Sequence, residues 1–273
     1  MDVYGYISVL NHTEAIAWNE HEKSVVYFEF PPEVEKDPEA ENITDYKSEP
    51  PMRGIAYGNG IAKVLLIGNS YAYRAYLAML AAFAGRYEYF WLFSHSTVVV
   101  LTDYEYNTAW PKEVMRLVQS TQPDITFINE KDYLATLAGP ITGDLADDPV
   151  FKRAQWMIDF VCNNSGLVVL DSQFFKPTEK DGIANIIQKR LQQNESATFG
   201  DLKIPKSEYQ RVHANETTRI NAFTARYNPT NLHSYYGDLA AHLTPEGVAV
   251  LAPGYKKIFE DFLRDFKAPA ARI

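Results

Sequence analysis

The sequence predicts an α/β protein built on a central parallel sheet with helices on both faces. Three short apolar runs, Val64–Ile67, Ile125–Ile128 and Leu167–Leu170, have the pattern of strands buried on both sides. Segments with helical spacing stand between and around them: Tyr71–Phe83, Trp110–Ser120 and Val150–Cys162. Strands that alternate with helices in this way pair in parallel, because a crossover helix returns the chain to the same edge.

The chain suits one large domain with an arm, at 273 residues. Residues 1–62 read as an N-terminal arm and residues 63–273 as the α/β domain. Within the arm, Tyr4–Leu10 and Ser24–Phe30 are candidate strands, the second rich in Val, Tyr and Phe. Pro31–Met52, rich in Pro, Glu and Asp, reads as a solvated linker or an ordered surface loop. In the domain, Tyr87–Phe93 and Thr97–Leu101 are further strand candidates, and Lys180–Gln193 and Pro205–Arg226 read as long polar helices. Thr244-Pro245-Glu246 opens the last helix with a cap residue, a proline at the first turn and an acid beside it.

Composition bounds the partners. The chain is 46% hydrophobic and 14% aromatic, as expected of a folded globular protein. A net charge of -9 argues against nucleic acid or an anionic membrane as the main partner. No apolar run approaches the roughly eighteen residues of a transmembrane helix, and the start, MDVYGYISVLNHTEAIAW, lacks a basic region followed by an apolar one. The polypeptide reads as soluble, with no secretion signal. Cys162 is the only cysteine, so neither an internal disulfide nor a cysteine zinc cluster can form. Asn11, Asn42, Asn163, Asn194 and Asn215 each begin a glycosylation acceptor pattern, an excess that points to an extracytoplasmic setting. The acceptor patterns and the missing signal disagree, and localisation stays open.

The chemistry concentrates at Gly68-Asn69-Ser70, where the first buried strand of the α/β region breaks into a helix. Such a turn holds its residues above the C-terminal edge of the sheet, where ligands bind in open α/β folds. The N–H groups of a helix start favour negative charge there. Ser70 either caps the helix or acts as a nucleophile whose own N–H helps hold the oxyanion it creates. Residues 68–72, GNSYA, form neither a phosphate loop nor the G-x-S-x-G elbow.

A nucleophilic serine needs a base. His12 and His21 lie in the arm, His213 falls in a polar helix, and His95 reads as a turn residue in a Ser/His/Thr cluster. His242 stands just before the last helix, in a loop that also carries Asp238. A carboxylate beside an imidazole fixes its tautomer and stabilises it once protonated. On an ordinary loop the same pair is plain polar surface.

Taken together, VLLIGNSYAYR and YYGDLAAHLTPEG resemble the first and last motif blocks of the SGNH hydrolase superfamily. The closest likeness is to the SGNH domain attached to multi-pass membrane O-acyltransferases. There GNSYA, a GRYE-LFS segment (Gly85–Glu88 and Leu92–Ser94 here), PDITF and HLTPEG recur in that order, over about residues 60 to 265. The resemblance implies a three-layer α/β/α sandwich of SGNH/flavodoxin-like type and acyl-ester chemistry. Ser70 would attack the carbonyl, His242 would take its proton and Asp238 would orient the imidazole. The oxyanion would be held by the N–H of Ser70 with that of Gly85, and Asn129 is a further candidate from the segment FINEKDY. No cofactor or metal is implied. The implied partners are a small acyl ester or O-acylated glycan, and a membrane acyltransferase domain in cis or in trans, which this chain does not contain.

Three features depart from the family pattern. The acid and base are spaced Asp-x-x-x-His, one residue longer than usual, Asn69 replaces the usual Asp before the serine, and the Gly-x-Asn-Asp block is missing. The expected function is a serine-dependent O-acyl, chiefly O-acetyl, ester hydrolase or acyl transferase acting on a glycan or small hydroxyl acceptor. The alternative is a catalytically silent SGNH-like domain that binds a carbohydrate or a protein. A nucleotide-binding domain ranks below both, for want of a phosphate loop.

Overall fold

The computed structural model describes residues 30–37, 51–95, 100–101, 109–130, 139–171, 214–226, 232–235 and 245–266, with isolated helical positions elsewhere. These form a mixed α/β fold around one sheet, with strands β1 (Val34–Lys36), β2 (Met52–Tyr57), β3 (Lys63–Gly68), β4 (Tyr89–Ser94), β5 (Ile125–Asn129), β6 (Leu167–Asp171) and β7 (Leu232–Tyr235). The helices are α1 (Ser70–Phe83), α2 (Ala109–Thr121), α3 (Pro149–Asn164), α4 (Ala214–Arg226) and α5 (Pro245–Asp265). No helix among the described residues is long and apolar enough to cross a membrane.

The sheet order is β1-β2-β4-β3-β5-β6-β7. From β4 to β7 all pairings are parallel, and β1 and β2 add an antiparallel edge. Counted from β3 in chain order, the parallel strands run 2-1-3-4-5, the doubly wound order whose ligand crevice lies between its first and third strands. Those are β3 and β5.

Alternation along each strand splits the core into two. Val64 and Leu66 of β3, Phe90 of β4 and Phe127 of β5 face α1 and α5, while Leu65, Ile67 and Ile128 face α2 and α3. Helix α1 is enclosed on most sides, with Ala72, Ala75, Ala78 and Ala82 buried alongside its Tyr and Phe residues. Small side chains let α5 pack close, and Phe259 of α5 stacks on Phe83 of α1 at 4.1 Å. On the other face Trp110 of α2 stacks on Phe93 at 4.5 Å.

The arm and the domain share the sheet. β2 pairs with β4 from Met52↔Ser94 to Tyr57↔Tyr89, and β1 lies inside the Pro/Glu-rich stretch. Of β1 only Val34 is buried, while Glu35 and Lys36 face solvent, as suits a short edge strand. The candidate strand Tyr4–Leu10 lies outside the described residues, as does Ser24–Phe30 apart from Phe30. Of Thr97–Leu101, only Val100 and Leu101 are described, and they form a fully buried turn rather than a strand. The Val100 N–H is held by the Glu130 carboxylate at 2.5 Å instead of by a neighbouring strand.

The far side of the sheet is tied by a buried ion pair. Asp148 caps α3 by accepting the Phe151 N–H at 2.7 Å, and it meets Arg219 of α4 through two bonds of 3.1 and 2.8 Å. Arg219 also donates to the Gly139 carbonyl at 2.8 Å, and both side chains are sealed from solvent. Burial alone would raise the Asp148 carboxyl, but the Arg219 guanidinium and the helix amides outweigh it and hold the carboxyl below its ordinary 3.8.

Two outcomes follow for this pair. Asp148→Ala strands a buried guanidinium, and its urea midpoint should fall by the equivalent of about 3–5 kcal/mol. Because the folded carboxyl titrates below the unfolded one, the pair's share of stability is present above about pH 3.8 and is lost as pH falls through the depressed value. Acid titration of the wild type should show this loss, and Asp148→Ala should lack it.

Candidate functional site

Strand register brings the site together. Gly68 of β3 lies opposite Ser94 of β4 on one side and Asn129 of β5 on the other, so three strand ends meet at one edge. The backbones of Gly68 and Asn129 run so close that a Cβ at position 68 would overlap the Asn129 carbonyl oxygen. Only glycine fits there, and the chain can then turn directly into α1.

At that turn the cap is Asn69, not Ser70. The Asn69 side chain accepts the Tyr71 N–H at 3.2 Å, and its carbonyl accepts the Ala72 N–H at 2.9 Å. Asn69 is buried, and its carbonyl also accepts the Ser94 hydroxyl at 2.8 Å. The His95 N–H donates to the Gly68 carbonyl at 3.0 Å. The turn is thus strapped from the β4 side. Ser70 is the first residue of α1 and only half-buried. As such, it has a backbone N–H with no carbonyl one turn back to accept it. Among the described residues nothing engages its hydroxyl by hydrogen bond.

The other sequence-predicted residues fall in different places. Asn129 lies at the same edge, beside Gly68, but it is fully buried and its amide nitrogen donates to the Tyr255 hydroxyl of α5 at 2.9 Å. Gly85 does not join the site, which corrects its expected oxyanion role. It follows the C-cap of α1, Ala84, at the opposite end of a 14-residue helix, a length of roughly 20 Å. Ala84 ends the helix in the left-handed conformation, Gly85 follows it with a φ of 71°, and the Gly85 carbonyl accepts the Asn59 N–H at 2.8 Å. Asp238 and His242 lie outside the described residues. Their flanking elements are described: β7 ends at Tyr235, on the edge that carries Ser70, and α5 begins at Pro245.

Sequence reasoning missed Ser94 and the way His95 is used. His95 is buried, with its ring edge-on to Trp110 at 5.6 Å, and the two residues act through their hydrogen bonds to the Gly68-Asn69 turn. The signal was the parallel register of β3 with β4, which the sequence does not state. His233, not weighed among the histidines, falls on β7 opposite Val169. Among the described residues no three His, Cys, Asp or Glu side chains converge to hold a metal ion.

No family model matches the chain, and no curated protein matches it. Several solved structures do. The esterase LipW from Mycobacterium marinum is 10% identical with a TM-score of 0.41, over 92% of this chain and 86% of that one. An epoxide hydrolase from Vigna radiata is 11% identical with a TM-score of 0.29, over 84% and 68%. A thioesterase domain from the curacin biosynthetic pathway is 10% identical with a TM-score of 0.28, over 75% and 95%. Likenesses this distant do not establish what the chain does, and none of the three is described as an SGNH protein.

The turn should respond to substitution in a graded way. Asn69→Ala removes the cap and should cost about 1 kcal/mol. Gly68→Ala forces a methyl group into the β5 backbone and should cost more, about 1–3 kcal/mol or beyond. Urea denaturation of the two variants against wild type reads both.

Proposed function

We propose that the chain is a serine-dependent O-acyl ester hydrolase or acyl transferase of the SGNH type, with Ser70 as its nucleophile. One observation carries the reading: Asn69 takes over the capping of α1, so the Ser70 hydroxyl is free of the structural duty that would otherwise explain it. The serine stands at the start of α1, just past the end of β3 and beside the crevice between β3 and β5, and its N–H is one of the first-turn amides that favour negative charge.

In this reading His242 takes the Ser70 proton as the hydroxyl oxygen attacks the acyl carbonyl, and Asp238 stabilises the imidazolium. The tetrahedral intermediate collapses when the same proton passes to the leaving alcohol. Water or a second hydroxyl then attacks the acyl-enzyme, with His242 again as base. The parallel order 2-1-3-4-5 and the exit of β7 at the Ser70 edge support the assignment. The connection starts about 14 Å from β3, three strand spacings away, while α5 packs directly against α1. An O-acetyl group on a glycan is the proposed substrate, by the motif resemblance. A membrane acyltransferase in cis or in trans is the proposed acyl source where the reaction is transfer.

A second reading keeps the fold without the chemistry, as a silent domain that binds a carbohydrate or protein. The observation behind it is that Gly85 sits at the far end of α1 and Asn129 is buried against Tyr255. The Ser70 N–H then lacks a second oxyanion donor among the described residues, a loss that costs on the order of 100-fold or more in rate.

Hydrolysis of an activated acetate ester separates the two. Wild type should turn over, and Ser70→Ala and His242→Gln should each lower kcat by about 1,000-fold or more. Equal rates for wild type and Ser70→Ala would reject the enzyme reading.

A further inference from the structure

We infer that Ser94 is a positioning residue for the Ser70 site: its hydroxyl pins the carbonyl end of the Asn69–Ser70 peptide unit and thereby aims the Ser70 N–H, the donor an oxyanion would meet. This rests on the reading of Ser70 as the nucleophile.

The link runs through a single rigid group. A peptide unit is planar and trans, so its C=O and N–H lie in one plane and point in opposite directions. Whatever holds the Asn69 carbonyl therefore sets the direction of the Ser70 N–H. The Ser94 hydroxyl at 2.8 Å and the Ala72 N–H at 2.9 Å both hold it. One comes from the end of β4 and the other from the first turn of α1, so the Ser70 N–H points away from β4 and out of the start of the helix. β3 has β4 on one side and β5 on the other, which puts this N–H on the side of the crevice. Among the described residues no acceptor meets it.

The helical bond alone would leave the plane less defined. Hydrogen bonds at a carbonyl oxygen tolerate a broad range of angles, so one bond lets the unit rock about it. A second bond from outside the helix removes that freedom. The peptide unit before it is held from the same side, by the His95 N–H on the Gly68 carbonyl at 3.0 Å. Ser94 is not needed merely to satisfy the Asn69 carbonyl, because Ala72 already meets it. It is 1% exposed and stands on the strand face that carries Phe90 and Leu92, where an apolar side chain would pack without burying a hydroxyl. What the hydroxyl adds is direction.

The test compares wild type with Ser94→Ala and with Ser94→Cys, which fills the space but donates only weakly. The readouts are Tm, and kcat and KM on an activated acetate ester and on its thiono counterpart, in which C=S replaces C=O. In the thiono ester the developing charge sits on sulfur, a poor acceptor of N–H bonds, so the ratio of the two rates reports the oxyanion donor itself. Both variants should lower kcat on the oxygen ester about 10- to 100-fold with KM little changed, and the ratio of oxygen-ester to thiono-ester rates should fall as well. An unchanged ratio would overturn the inference, because any loss of rate would then be merely structural. If wild type and Ser70→Ala hydrolyse the oxygen ester at equal rates, the enzyme reading has failed by itself. The Ser70 amide nitrogen then still decides, since its NMR signal responds to a hydrogen bond on the carbonyl of the same peptide unit. Movement of that signal in Ser94→Ala supports the pinning, and an unmoved signal overturns it.

Discussion

The contact between the backbones of Gly68 and Asn129 sets the geometry of the whole C-terminal edge. A side chain at position 68 would collide with the β5 carbonyl, so β3 and β5 can close their register to the last residue only with glycine there. That closeness leaves the chain no sideways room, and it rises straight into α1. Asn69 then caps the helix, Ser94 and His95 strap the turn from β4, and Asn129 reaches across to α5. Each of these bonds presupposes the same approach of two backbones. An edge made this way is rigid for reasons of packing, before any chemistry is asked of it.

Rigidity is passed outward by the α1/α5 layer. Most of α1 is buried, which explains why its sequence offers so little polar surface and why alanine recurs on it. The aromatic stack of Phe83 on Phe259 joins the lower ends of the two helices, with Arg86 above the Phe259 ring at 5.9 Å. Nearer the C-terminal edge of the sheet, the end of β5 meets α5 through the bond from Asn129 to Tyr255. Two attachments of different kinds, one apolar and one directional, thus hold the part of α5 that follows Pro253 and Gly254.

The buried strands were legible because double burial writes itself as an unbroken apolar run. Val64–Ile67, Ile125–Ile128 and Leu167–Leu170 all lie within β3, β5 and β6. The start of α5 at Pro245 was legible for an equally local reason. β1 was not, because a three-residue edge strand buries one side chain, and its pairing is a backbone matter. β7, Leu-His-Ser-Tyr, has no apolar run to show, and its place comes from pairing with β6. Thr97–Leu101 misled in the opposite direction. Val100 and Leu101 are apolar because they plug the α2/α3 core, and a carboxylate rather than a strand meets the Val100 amide. At the site, Gly68-Asn69-Ser70 could be found from local pattern, but the choice between cap and nucleophile could not. Gly85 was misplaced for the same reason: motif order carries no information about which end of a helix a glycine terminates.

That choice turns on a division of labour between neighbours. Where the SGNH pattern that the sequence resembles has an acid before the serine, this chain has an asparagine. Its side chain caps the start of α1 by accepting the Tyr71 amide, so no cap is asked of Ser70. An amide oxygen caps nearly as well as a carboxylate and brings no negative charge to the edge of the sheet. A carboxylate next to a forming oxyanion would oppose it, whereas a neutral cap leaves the positive end of the α1 dipole unscreened for Ser70. In the proposed reading, with Gly85 remote and Asn129 bonded to Tyr255, that field and the Ser70 N–H would be the stabilising elements among the described residues. The replacement of the acid by Asn69 therefore leaves the start of α1 capped without adding negative charge beside Ser70.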